Sequence, residues 1–508
     1  MGSEKTKKIK RNLFFGFFNQ ILIFGIGLIV PRLILTSYGS EVNGLLSTVI
    51  QIFTYVGLLE AGIGNASLNA LYKPFTDADE YSVSDVFSAT QKYYRKVTVI
   101  YSLCVVAVSA IYPLCIKSSL SYIKIFLIIF FQGLSGALTF FFVAAYKQVL
   151  KADGKHYIES NISLAIYILT SISKILLMYF GCDVVILQVV YCAIHCMQIL
   201  IFVYIMKKRY PWLKNHKNPD MTALSQRNAF LVHEISGTIF SSTDAFLLST
   251  FCSLMVTSVY SVYNMIFVAL NSLINSINGG LNYILGQSYA KKDASYQATH
   301  DSYDALYMAL VFSLFTVAYI LICPFVKLYT AGVTDIEYID YALPIMFVSI
   351  QLLSCSRATS ARLITISGHA KNTQVRSIIE AGINLTVSII LVNIIGIYGV
   401  LIGTIIALLY RANDIIIYAN KKILKRSPFK TYSIFLVNFG LFAVFFVFEL
   451  VMREKLMNYC DSYLKFILLG VIFSIVSFLL YFVFAVIFDA NIKNVIKKRV
   501  FKNAHKTV

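Results

Sequence analysis

Five asparagines, Asn264, Asn271, Asn275, Asn278 and Asn282, follow one another at spacings of 7, 4, 3 and 4 in a stretch without a charged residue. Those spacings keep them on one face of a helix. A carboxamide both donates and accepts, so such a face can meet sugar hydroxyls, or it can bond to a neighbouring helix. Subtracting 213 leads to Gln51, Leu58, Gly62, Asn65 and Asn69, where three of the five positions are again carboxamides. Ser47 and Thr54 extend that earlier face. Carboxamides facing hydrocarbon are costly, so both faces must meet protein or water. A stripe this long, present in both halves, fits a wet cavity better than helix glue alone.

Acids and bases stand in equally apolar surroundings. His233, Gly237, Ser241 and Asp244 share a face at spacings 4, 4 and 3, with Glu234 beside them, and Glu60 lies in another apolar run. Such acids mark functional sites or structural pairs; Glu60, Glu234 and Asp244 are the candidates for carrying a coupling ion. The cations are Lys174, Arg357, Arg362 and Arg411, with Arg32 directly after Pro31. Arg411 and Asp414 are three apart and should pair. Arg357 and Arg362 are five apart, roughly 140° around an ideal helix, so they cannot both face one small site. A guanidinium binds phosphate bidentately, so these cations could hold an anionic lipid-linked substrate or could snorkel to a headgroup.

The elements that must position these groups are membrane helices. Of 508 residues 58% are hydrophobic and only 14% charged, and the apolar runs are near the length that spans a bilayer. The runs are continuous, which excludes an alternating outer-membrane barrel. We read an all-α polytopic protein of about fourteen spans: 12–36, 42–71, 97–116, 122–146, 159–180, 184–206, 228–251, 254–285, 303–326, 341–366, 374–395, 397–419, 431–452 and 464–488. With the N-terminus inside, cytoplasmic segments hold 33 Lys and Arg against 7 on the other side, so both termini are expected in the cytoplasm. The net charge of +19 is thus topology, and no nucleic acid is expected as a partner. The tail, 489–508, should lie on anionic membrane lipids. The N-terminal run is too long for a cleaved signal peptide. Cys192 and Cys196 flank His195 without a second ligand pair, so no metal is expected. There is no G-x-x-x-x-G-K-[ST] for ATP.

The chain also repeats itself. Gly154 and Gly368, each just before a span, are 214 apart; Gly181 and Gly396, each just after one, are 215 apart. Two pairs at nearly one offset indicate duplicated six-helix units in parallel orientation. The division expected is an N-terminal lobe 1–206, a cytoplasmic linker 207–227, a C-terminal lobe 228–420, two additional spans within 431–488 and the basic tail.

The run Val30-Pro31-Arg32-Leu33-Ile34-Leu35-Thr36-Ser37-Tyr38-Gly39-Ser40-Glu41-Val42-Asn43-Gly44-Leu45-Leu46-Ser47 resembles the start of Wzx-type polysaccharide flippases. Leu58-Leu59-Glu60-Ala61-Gly62-Ile63-Gly64 is similar to their glycine break in span two. Ser242-Thr243-Asp244-Ala245-Phe246-Leu247-Leu248 and Ser258-Val259-Tyr260-Ser261 resemble the start of their second half. That family belongs to the multidrug/oligosaccharidyl-lipid/polysaccharide exporter (MOP) superfamily. The resemblance covers essentially the whole chain, through degenerate motifs. It implies a V-shaped bundle whose spans one, two, seven and eight line a partly cationic cavity. It implies flipping of undecaprenyl-diphosphate-linked oligosaccharide repeat units across a bacterial cytoplasmic (inner) membrane, for O-antigen, capsule or exopolysaccharide assembly. Alternating access would be driven by H⁺ or Na⁺, with a polysaccharide polymerase as a downstream partner.

Arg32 matches a cavity arginine of the superfamily and is the first candidate for the diphosphate, followed by Arg357 and Arg362. The alternatives are a lipid II or teichoic-acid precursor flippase, a multidrug/cation antiporter of the same superfamily, and, from another class, a membrane polysaccharide polymerase. Polymerases tend to carry a large outer loop, and the loops expected outside are all short here. No enzyme activity and no cofactor beyond the coupling ion are expected.

Overall fold

The structure, a computed structural model, describes residues 2–60, 63–224, 238, 242–290, 296–488 and 493. Among them the chain is helical, with no strand. The helices are α1 (Gly2–Gly57), α2 (Ile63–Thr76), α3 (Glu80–Cys115), α4 (Tyr122–Phe142), α5 (Ala144–Ala152), α6 (His156–Tyr179), α7 (Val184–Arg209) and α8 (Asp244–Phe251). They continue as α9 (Leu254–Ala290), α10 (Tyr296–Tyr329), α11 (Leu343–Ser356), α12 (Ala358–Ile366), α13 (Gln374–Ile395), α14 (Ile397–Tyr418), α15 (Phe429–Tyr459) and α16 (Tyr463–Phe488).

Eleven helical segments among the described residues are long and apolar enough to cross a bilayer. The sequence reading of about fourteen differs for identifiable reasons. Spans one and two share α1, which leaves helical geometry at Gly39 (φ 83°, ψ 177°), a conformation only glycine adopts without strain. Span ten is two shorter helices, α11 and α12, that meet at Arg357. Most of span seven lies outside the described residues, and α8 is its end.

The glycines that revealed the repeat share a backbone role. Gly154, Gly181 and Gly368 have φ of 70°, 68° and 77°. In each case the next N–H reaches five residues back: Lys155 to Leu150, Cys182 to Leu177 and His369 to Ile364, at 2.8, 3.0 and 2.9 Å. This is the Schellman closure of a helix, with glycine at the left-handed position. Gly154 and Gly368 therefore end repeat-related helices, α5 and α12, in the same way. Gly396 also has positive φ (57°) but with ψ −128°, and joins α13 directly to α14.

By packing, the chain divides into two compact units, 1–261 and 262–508. The boundary falls inside α9, well past the 207–227 linker: α8 and the first two turns of α9 belong with the first unit. The first unit has an outer core in which Val42, Leu45 and Val49 of α1 meet Ile125, Ile128 and Ile129 of α4 and Val184 and Leu187 of α7. A second core joins Phe87 and Tyr94 of α3, Val149 of α5 and Phe202 of α7. Gly44 lets α1 touch the start of α9; a Cβ there would lie 1.8 Å from the Leu254 carbonyl oxygen.

The second unit is built around α10, the most buried of the eleven membrane-length segments. The last two helices dock on it through polar bonds: Ser313 to Ser477 at 3.0 Å, Thr316 to Tyr481 at 2.8 Å, and Tyr319 donating to Glu449 at 3.1 Å. Lys327 donates to the Met457 carbonyl at 2.8 Å, and Tyr463 to the Leu328 carbonyl at 3.1 Å. Inside a bilayer such pairs replace unsatisfied groups in hydrocarbon. The spans outside the sequence repeat are thus an integral part of the second unit.

Candidate functional site

Each unit carries its own set of intramembrane polar side chains. In the first, α1 supplies most of them. Arg32 is half-buried one residue after Pro31, within the first arm of α1. Past the Gly39 turn, Asn43 is buried and donates to Ser258 at 2.7 Å and to Ser261 at 3.3 Å on α9. Two turns on, the Gln51 carbonyl accepts the Ala245 N–H at 3.0 Å, satisfying one of the free amides that begin α8. Tyr55 bonds to Thr243 just ahead of that helix. Asp244 is buried, and its Oδ2 accepts from Tyr260 at 2.9 Å. Tyr112 of α3 donates to Ser249 at 2.8 Å. These bonds make a polar seam that holds α8 and the start of α9 against α1.

Glu60 ends a short 3₁₀ turn after α1, where it accepts from Tyr94 at 3.1 Å. Asn65 and Asn69 follow on α2, one helical turn apart and exposed. Lys174 on α6 places its ammonium 4.9 Å from the centre of the Tyr191 ring, a cation–π contact. At the ends expected outside, Lys124 in the first turn of α4 and Asp183 just before α7 pair at 2.6 Å. Burial pushes the Asp183 carboxyl up, but Lys124 and the Val185 N–H outweigh it and hold the group below the ordinary aspartate value.

In the second unit the cations are strongly engaged. Arg357, at the break between α11 and α12, donates to Glu380 at 2.5 Å. The other Glu380 oxygen lies 3.4 Å from Arg411, which also donates to Asp414 at 2.6 Å. Arg376 reaches Asp414 at 2.5 Å and lies over the Tyr418 ring at 5.1 Å. Three guanidinium groups thus share two carboxylates, and the network keeps one positive charge. Arg362 donates to the Tyr303 hydroxyl at 2.6 Å. Asn271 donates to Gln351 of α11 at 2.5 Å, Asn264 is half-buried and Asn275 exposed.

The expected Arg411–Asp414 pair is present. The ideal-helix angle between Arg357 and Arg362 does not apply, because the helix is interrupted at Arg357. One nitrogen of Arg357, Nη1, is already taken by Glu380. Gln51 and Asn271 each already hold a partner, so these two members of the stripes join helices. Glu234, with His233, Gly237 and Ser241, lies outside the described residues; the side chains of Asn278 and Asn282 do too.

The reading from spacing missed Asn43, Glu380, Arg376 and Gln351. Arg376 and Glu380 are one turn apart, which is visible in the sequence; their partners, Arg357 and three residues of α14, are not.

No family model matches this sequence, and no curated protein matches it. Solved structures do. An inward-facing conformation of a multidrug resistance MATE family transporter of the MOP superfamily aligns with a TM-score of 0.64 at 14% identity, over 81% of this chain and 98% of that one. The fold is that of MOP-superfamily transporters. An outward-facing conformation of such a transporter aligns at 0.59 and 14% identity, over 82% and 96%. A MOP superfamily transporter from Pyrococcus furiosus, described as having a binding pocket of reversed polarity, aligns at 0.59 and 14%, over 83% and 97%. These neighbours are transporters and not enzymes, and the chain shares with them a polytopic helical membrane fold.

Proposed function

We propose that the protein is a lipid-linked oligosaccharide flippase working by alternating access. The observation that carries the transport reading is the match of one chain, over four-fifths of its length, to both inward-facing and outward-facing MOP transporters. The substrate reading rests on the resemblance of the 30–47 run to Wzx-type flippases and on the carboxamides and Arg32 in membrane helices. The substrate is then an undecaprenyl-diphosphate-linked repeat unit moved from the inner to the outer leaflet of the cytoplasmic membrane. Arg32 neutralises the diphosphate, since an unpaired buried anion is prohibitively costly. Exposed carboxamides such as Asn65, Asn69 and Asn275 meet the sugars, the lipid tail stays in the bilayer, and an H⁺ or Na⁺ gradient drives the cycle. Glu60, Asp244 and Glu234 are the acids that would bind the driving ion.

The test is a reconstituted flip assay. Purified protein in liposomes receives an undecaprenyl-diphosphate oligosaccharide, and an impermeant glycosidase reads which leaflet holds it. Flipping that depends on an imposed H⁺ or Na⁺ gradient supports the reading. Gradient-driven extrusion of a lipophilic dye cation with no movement of the lipid-linked sugar would favour multidrug export instead, the activity named for two of the structural neighbours.

A further inference from the structure

Three ionisable side chains are packed out of water where α10 begins. His300, Asp301 and Asp304 are 1%, 3% and 2% exposed. Asp301 is fully compensated: Arg426 grips it with two bonds of 2.8 and 2.6 Å, and Lys430 approaches to 2.7 Å. Asp304 is not. Its Oδ1 accepts from Thr359 of α12 at 2.7 Å, and among the described residues no cation stands within ion-pair distance of it.

His300 lies one turn before Asp304 on the same face of α10. Neither of its ring nitrogens has a hydrogen-bond partner among the described residues. Asp301 Oδ1 stands 3.7 Å from Nδ1, too long for a hydrogen bond. A buried carboxylate with only a hydroxyl for a partner is strongly disfavoured, and so is a dry imidazole. One proton removes both deficits. On the ring it makes an imidazolium 3.7 Å from the Asp301 carboxylate and one turn from Asp304; on Asp304 it makes a neutral acid that keeps its bond to Thr359.

We propose that His300 and Asp304 together form a proton-binding site at the N-terminal end of α10. Among the described residues, the Tyr296 ring lies 6.3 Å from that of His300, and Arg357, just before α12, is on Glu380. Tyr289 of α9 meets the Tyr296 ring at 5.2 Å, and Arg362 of α12 is on Tyr303. Arg426 and Lys430 are on Asp301. The site joins three elements: α10 itself, α12 through Thr359, and the segment before α15 through Arg426, Lys430 and the bond from Gln297 to the Leu424 carbonyl at 2.9 Å. Losing the proton leaves Asp304 a buried carboxylate without a cation and makes its bond from Thr359 charge-assisted, so the clasp on α12 changes with protonation. On the orientation expected from the Lys and Arg distribution, this end faces the cytosol, which supplies the proton. The site needs no substrate, so it stands or falls separately from the flippase reading.

The experiment is a ¹⁵N-histidine NMR titration of the full chain in lipid nanodiscs. The His300 signal is identified by its loss in His300→Gln, or, where that variant does not fold, in a chain whose other six histidines are replaced. In Asp304→Asn the His300 transition should move by at least about one pH unit from its wild-type position, as expected for two coupled groups. Hydrogen exchange in 358–366 should depend on pH in the wild type and lose that dependence in Asp304→Asn. An identical His300 titration in the two proteins, or a ring that does not change state between about pH 4 and 9 in either, would overturn the proposal.

Discussion

Arg32 has a neutral route to its position, since an arginine at the end of an apolar helix can snorkel to a headgroup. Its two roles separate in a substitution. If it meets the diphosphate, Arg32→Ala abolishes surface polysaccharide while the amount of protein in the membrane is unchanged, and Arg32→Lys restores only part, because an ammonium lacks the planar fork. Wild-type export by Arg32→Ala would pass the role to another cation. Arg357 is then a demanding choice, because its guanidinium already holds Glu380. Removing one member of a buried ionic network leaves the others uncompensated, so Glu380→Gln should cost about 3 kcal/mol of stability. Thermal unfolding in detergent would register this as a drop in Tm, with Asp414→Asn behaving similarly and the exposed Asp461→Asn unaffected.

At the scale of elements, the long helices were legible because each is a continuous apolar run between charge clusters, and the repeat because its glycines are forced by backbone geometry. Gly154 and Gly368 stand out in sequence for the same reason that they close helices in the fold. Less was legible where one element is judged by another. A single run cannot show that span ten breaks at Arg357, since nothing in 341–366 is a proline or glycine beyond Pro344 near its start. Nor could the asparagine spacing tell Asn271, bonded to Gln351 eighty positions away, from Asn275, which is exposed.

Accessibility measures that distinction. Cysteines at Asn275 and Asn278 should react with a water-soluble thiol reagent faster than one at Leu273 or Ile277, and equal protection of all four would favour a purely helix-bonding stripe. Close packing gives a second test. Gly44→Ala forces a methyl into the Leu254 carbonyl and should destabilise by about 1–3 kcal/mol. Gly440→Ala, with nothing within 4 Å of the added carbon, should be neutral or gain up to about 1 kcal/mol from helix propensity.

For the whole molecule, the orientation expected from the Lys and Arg distribution is tested from outside intact cells. An impermeant thiol reagent should label a cysteine introduced at Asp335 and miss those at Lys214 and Lys425. Labelling at Lys214 would reverse the assignment.

The docking of the last two helices on α10 also bears on synthesis. Ser313, Thr316, Tyr319 and Lys327 enter the membrane well before Glu449, Met457, Ser477 and Tyr481 leave the ribosome. Until then their polar groups must be covered by something else, so the second unit cannot reach its final packing while the chain is still growing. A stop codon after Pro428 would not yield a smaller transporter. It would strand those side chains in lipid and hand the nascent chain to membrane proteases, so a segment that looks dispensable in sequence sets the last step of biogenesis.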